Sequence, residues 1–307
     1  MNGVVVIDKP AGLTSHDVVN RVRLILGQRA VGHLGTLDPM ATGVLPLVVG
    51  NFTRLARFYT AAEKAYQGVV RFGFATDTYD AEGEPVAAPQ DAQVTLEQLS
   101  GLARRFQGII TQTPPPFSAK KIKGVPAYRL ARKHQEVALE PVQVEVKEFR
   151  VIAVAATENT AGEAEASEQG SFATFRARVA SGTYMRCIAH DMGLALGCGA
   201  HLASLRRTHV AEFSIAEALT LDALQSAAHE SRLEEAFVHP RRILPHMPSL
   251  SANDSDVARI RNGQALNLPD YSQAKLVKVF RGQRDLLAIA TRIAGTLFHP
   301  QIVLMSS

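Results

Sequence analysis

One run dominates this sequence: residues 32–50, GHLGTLDPMATGVLPLVVG. Gly32, Gly35, Gly43, two threonines and a histidine crowd around a single carboxylate, Asp38, and an apolar stretch follows at once. Pro39 biases Asp38 away from the helical region, and the glycines let backbone come close to a ligand. The run therefore predicts a rigid loop that presents one acid and leads into a buried strand over residues 44–49. Asp38 is also the only acidic residue between Asp17 and Glu63, an interval that holds Arg21, Arg23, Arg29, Arg54 and Arg57. A carboxylate repels a polyanion, so its place among arginines points to chemistry at Asp38 and phosphate binding around it. An Asp-Pro turn whose acid caps a local amide fits the spacing equally well.

The rest of the chain alternates strand and helix signals. Residues 3–7 read as a short buried strand ending in a turn, Asp8-Lys9-Pro10-Ala11-Gly12. Thr14 or Ser15 then caps a helix, with Asp17 suited to a capping box, an apolar stripe of Val18, Val19, Val22, Ile25 and Leu26, and Gly27 as its stop. Residues 65–73 form a strand with Tyr66, Val70 and Phe72 on one face. Residues 95–106 are mostly helical. Residues 172–179 alternate cleanly, with Ala173, Phe175, Ala177 and Val179 inward, before a helix that ends at Gly197. Beyond Pro240 the pattern predicts a helix over 254–262 and strands over 275–280, 286–293 and 297–305.

Charge is unevenly spread. Net charge is only +4, but Lys120, Lys121, Lys123, Arg129, Arg132 and Lys133 come with no acid before Glu136. Gly124 and Pro126 interrupt any helical spacing there, and Tyr128 interleaves an aromatic. Residues 156–170 are the opposite, with four glutamates and no basic side chain; they read as a disordered insertion without function. Two cysteines, Cys187 and Cys198, are too few for a disulfide framework or a four-ligand zinc site, which points to a reducing compartment. The opening MNGVVVIDKP lacks a signal-peptide core and no stretch approaches a membrane span, so the expectation is a cytoplasmic protein.

The spacing GHxGTLDPxATGxLP resembles the catalytic motif of the TruB-type tRNA pseudouridine synthases. All twelve fixed positions are present, from Gly32 and His33 through Asp38 and Pro39 to Leu45 and Pro46. Further similarities follow in family order: DKPxG at residues 8–12, TDTYDAEG at 76–83, and SAxK…G…YxxAR on Ser118, Ala119, Lys121, Gly124, Tyr128, Ala131 and Arg132. Leu205-Arg206-Arg207 after GCGAHL completes them. The first two thirds of the chain match well, and the last fifth in pattern only.

The resemblance implies an α+β pseudouridine synthase fold, with a mixed, mostly antiparallel central sheet flanked by helices and loops. It divides the chain into a catalytic domain over 1–245, with a basic RNA-binding insertion at about 117–140, and a PUA-like β-barrel domain over 246–307. It implies isomerisation of uridine 55 in the tRNA T-loop, with no cofactor, no metal, no membrane and no obligatory protein partner. By matching position, Asp38 acts at the sugar and Arg186 pairs with it. Tyr66 stacks on the target base and is a candidate to remove its C5 proton, while Tyr184 and Leu205 wall the pocket. His33 fills the space left by the flipped nucleotide. Lys121, Arg132, Arg206 and Arg207 meet phosphates, and Lys9 braces the catalytic loop. Two rivals stay open: a relative guided by small RNAs within a complex, and a non-catalytic RNA-binding or tRNA-folding protein of the same fold.

Overall fold

The computed structural model describes residues 1–115, 121–122, 125–126, 139–157, 169–270 and 272–305. Most of the basic stretch, Arg132 included, the side chain of Lys121 and most of the Glu-rich segment lie outside what is described. Strands β1 (Gly3–Lys9), β2 (Val31–His33), β3 (Thr42–Val49) and β4 (Lys64–Phe72) come first. Then follow β5 (Gly108–Gln112), β6 (Lys121–Ile122), β7 (Val125–Pro126), β8 (Val142–Thr157), β9 (Gln169–Val179), β10 (Ala200–Val210) and β11 (Phe213–Ser214). The last five are β12 (Ser249–Ser251), β13 (Leu266–Asn267), β14 (Leu276–Arg281), β15 (Asp285–Ala294) and β16 (Leu297–Val303).

The chain divides into two compact units: Met1–Pro39 with Gly43–Thr60 and His209–Ser307, and Met40–Thr42 with Ala61–Thr208. In the first, β1 and β2 both pair antiparallel with β3. β1 runs two residues further than its apolar run, because Asp8 and Lys9 continue the ladder opposite Val44 and Gly43; Pro10, lacking an N–H, ends it. Thr14 caps the helix Ser15–Ile25 in a reciprocal capping box with Asp17. Its buried Val18, Val19 and Val22 pack with Val5, Ile7, Leu45 and Leu47, the apolar stripe that the spacing predicts.

The C-terminal sheet has the order β12–β14–β15–β16–β13. Irregular registers within β14–β15 and β15–β16 curl it into a half-barrel. The helix Asp254–Arg261 packs on it through Ile260. The strands β12 and β13 were not anticipated, being three and two residues long, too short to show a period.

In the second unit the strand order is β10–β4–β9–β8–β5. β9 buries Phe172, Ala173, Phe175, Ala177 and Val179, and Phe149 on β8 meets Phe175 with ring centroids 5.2 Å apart. The helix Met185–Leu196 ends at Gly197 with φ 73°, the left-handed stop that glycine favours. Among the described residues no helix is long and apolar enough to cross a membrane.

Candidate active site

The loop that presents Asp38 is held from below by the turn after β1. Lys9 is fully buried, and its Nζ donates to the carbonyls of Pro10 at 2.8 Å, Leu13 at 2.6 Å and Pro39 at 3.0 Å. The Gly12 N–H donates to the same Pro39 carbonyl at 2.9 Å. Ser15 adds a second clamp: the Leu37 N–H donates to its Oγ at 2.8 Å, and that hydroxyl donates back to the Leu37 carbonyl at 3.2 Å. Residues on both sides of Asp38 are thus tied down, while Asp38 itself is half-buried. Buried and bonded to three carbonyls, Lys9 is the brace of this loop. Replacing Lys9 with Met should take this donor from the Pro10 and Leu13 carbonyls, at about 1–3 kcal/mol each, less the desolvation relieved by removing a buried charge. The expected result is a lower urea midpoint and slower turnover with RNA affinity retained; an unchanged midpoint and rate would remove Lys9 from this role.

In the second unit, Arg186 sits at the start of the helix Met185–Leu196 and is 5 % exposed. Its Nη1 donates to Asp80 Oδ2 at 3.2 Å and to the Thr78 carbonyl at 3.1 Å. Asp80 is buried as well, 2 % exposed. Its other oxygen, Oδ1, accepts from Thr78 Oγ1 at 2.6 Å and from the Glu82 N–H at 3.1 Å. Both oxygens of this carboxylate are engaged, so the guanidinium beside it is held in one orientation. Gln112 fixes the base of the same helix: it accepts from the Tyr184 N–H at 3.0 Å and donates to the Tyr184 carbonyl at 3.2 Å. Burial pushes the neighbouring Cys187 thiol up to about 12, which removes it as a nucleophile.

Tyr66 lies on the inward face of β4, 8 % exposed. Two residues on, a Cβ at Gly68 would stand 2.6 Å from the Ser204 carbonyl and 2.7 Å from the Phe175 ring. Only glycine lets β10, the strand of Leu205, approach β4 this closely. Arg206 is half-buried and its Nη1 donates to Thr42 Oγ1 at 3.3 Å, both within this unit. Arg207, expected at a phosphate, has a different environment from Arg206. It is fully buried, because the alternation of the strand turns it inward and sends Arg206 to the opposite face. Its charge, after burial itself, helps pull the Lys64 ammonium down to about 8. His33 is half-buried on β2 and its Nδ1 accepts from the Gly35 N–H at 3.3 Å. The structure brings Tyr66, Tyr184, Arg186, Leu205 and Arg206 into one unit, whereas His33 and Asp38 belong to the other. Among the described residues no cluster of His, Cys, Asp or Glu is placed to hold a metal ion.

Comparison with known proteins decides the family. Residues 23–185 match the model of the TruB family pseudouridylate synthase N-terminal domain, and residues 186–247 that of the tRNA pseudouridylate synthase B C-terminal domain. The chain belongs to the TruB family. A tRNA pseudouridine synthase B of Solibacter usitatus (strain Ellin6076) is 48% identical over 307 residues, covering 99% of this chain and all of that one. One of Aquifex aeolicus (strain VF5) is 37% identical over 284 residues, covering 92% of this chain and 93% of its own. Among solved structures, a chain of a Cbf5-Nop10-Gar1 complex matches at a TM-score of 0.68 and 26% identity, over 99% of this chain and 85% of that one. The α+β pseudouridine synthase fold expected from the motifs is therefore the fold of this TruB chain. Reading the motifs missed Asp80 and Gln112. Asp80 stands inside the matched TDTYDAEG segment, so its position was visible although its partner was not. Gln112 carried no signal.

Proposed function

We propose that this chain converts uridine 55 in the T-loop of tRNA to pseudouridine, alone and without a cofactor. The observation that carries the reading is the braced loop presenting Asp38 within a motif matched at every fixed position. Its relatives' names supply the substrate class, tRNA, and the chain spans their full length or nearly so. In the reaction the C1′–N1 bond breaks, the base turns, C5 joins C1′, and the hydrogen lost from C5 is replaced by one on N1. Nothing is oxidised and no group passes to water. Asp38 works at the sugar, by attack on C1′ or by moving a proton at C2′. Arg186, fixed by Asp80, serves Asp38 as its counter-charge. Tyr66 stacks on the base, with Tyr184 and Leu205 as pocket walls, and His33 fills the gap that the flipped nucleotide leaves. Lys121, Arg132 and Arg206 take phosphates. Residues 1–245 perform the isomerisation, and the PUA-like residues 246–307 add RNA affinity.

The test is to incubate the pure chain with an unmodified tRNA transcript and map pseudouridine along it. The expected product carries it at position 55 alone, with no guide RNA or second protein added. No product, or product only at other positions, would overturn the assignment.

A further inference from the structure

Tyr79 and His190 have no part in the chemistry assigned above, yet the fold joins them. Their rings stack with centroids 3.8 Å apart and planes 14° from parallel. Tyr79 has φ 66°, the left-handed region where a non-glycine residue is strained. The residues on either side of it both serve Arg186: the Thr78 carbonyl and the Asp80 carboxylate accept from its Nη1. His190 follows Arg186 by one turn of the helix Met185–Leu196, so the two side chains share a face. Turn and helix are therefore linked twice, once through the guanidinium and once through the stacked rings.

The stack is what orients the imidazole. Its Nδ1 is buried without a hydrogen-bond partner among the described residues, so no polar contact through that atom sets the ring. Burial also holds His190 below its ordinary pKa, which keeps the stacked ring neutral at pH 7. On the other side, the Leu202 N–H donates to the Tyr79 carbonyl at 3.0 Å, so Tyr79 is pinned between β10 and the helix. A glycine would adopt this backbone without strain, and the ring stack is a contact that only the tyrosine gains there.

We propose that the Tyr79–His190 stack is a positioning device that holds the Thr78–Asp80 turn against Arg186 and so sets the orientation of the Arg186–Asp80 pair during isomerisation. This rests on the reading that Arg186 serves Asp38. Neither ring is assigned a contact with the RNA, so their loss should appear in kcat and not in KM.

The experiment measures kcat and KM on a tRNA transcript, with thermal unfolding alongside, for His190→Ala, Tyr79→Gly, the double variant and His190→Phe. His190→Ala and Tyr79→Gly should each lower kcat about tenfold, equivalent to ~1.4 kcal/mol, with KM within about twofold. The double variant should lose no more than the worse single one, because both remove the same contact. His190→Phe keeps a flat ring and should recover most of the rate. Wild-type kcat in His190→Ala, multiplied losses in the double variant, or no recovery in His190→Phe would each overturn the proposal. So would losses in both single variants that unfolded protein accounts for. Asp80→Asn, assayed in parallel, separates two failures. If it is slow while His190→Ala is fast, only the positioning role falls; if it turns over like the wild type, the catalytic reading of the Arg186–Asp80 pair falls, and this inference with it.

Discussion

Asp38→Asn should abolish isomerisation while tRNA affinity stays within a few-fold. The amide matches the carboxylate in size and keeps one acceptor, so the loop braced by Lys9 and Ser15 has no reason to rearrange. The charge disappears, and with it the group proposed to attack C1′ or to move a proton at C2′. A fall of about three orders of magnitude or more in single-turnover rate is expected, equivalent to roughly 4 kcal/mol of transition-state stabilisation. Affinity should rise slightly if it changes, because one repulsion against the RNA backbone is removed. Binding by filter retention and rate by product mapping can be read on the same sample. A variant that retains even a tenth of the rate would exclude Asp38 as the acting group.

Asp80→Ala should be the most damaging change to stability and should also stop turnover. It removes a carboxylate partner of an arginine that is 5 % exposed and takes away the oxygen that the Thr78 hydroxyl and the Glu82 N–H now share. Breaking a buried ion pair by removing one partner typically costs about 3–5 kcal/mol, because the remaining charge stays desolvated. At about 2–4 °C per kcal/mol for a chain of this size, the melting temperature should drop by roughly 10 °C. Replacing both partners, as Asp80→Leu with Arg186→Met, should restore much of that stability and none of the activity. That contrast is the decisive measurement: a double variant as unstable as Asp80→Ala would show that the loss comes from packing, not from an uncompensated charge.

The parts of the molecule legible in the sequence share one property: they are set by local spacing. The helix Ser15–Ile25 is written in Thr14, Asp17 and its apolar stripe. The alternation of residues 172–179 reappears as the inward face of β9. The Asp38 loop is legible because its glycines and proline restrict the backbone residue by residue. Where local signals were weak the reading fell short. β8 was not anticipated, although Val142, Val144 and Val146 alternate with polar residues. The turn proposed at Asp8-Lys9 became the end of a strand, because pairing with β3, and not the apolar run, decides where β1 stops.

Arg207 shows that residue type alone does not fix a side chain's surroundings. Next to Arg206 in the sequence it has the same chemistry, but the period of a strand sends neighbours to opposite faces, and Arg207 is the one buried. Asp80 makes the same point across distance. Its turn and Arg186 meet over a separation of 108 residues, counted from Thr78, and Gln112 reaches Tyr184 over 72. No periodicity encodes such pairs, because they arise only when strands and helices from remote parts of the chain are packed in one core. The sequence by itself determined the chemistry on offer: one carboxylate in a rigid loop and the family to which that pattern belongs. Only the tertiary structure decided which charge Arg186 is held by, which arginine faces solvent, and that Lys9 is a brace. Those outcomes depend on burial and on partners, and a side chain acquires both only when the fold closes around it.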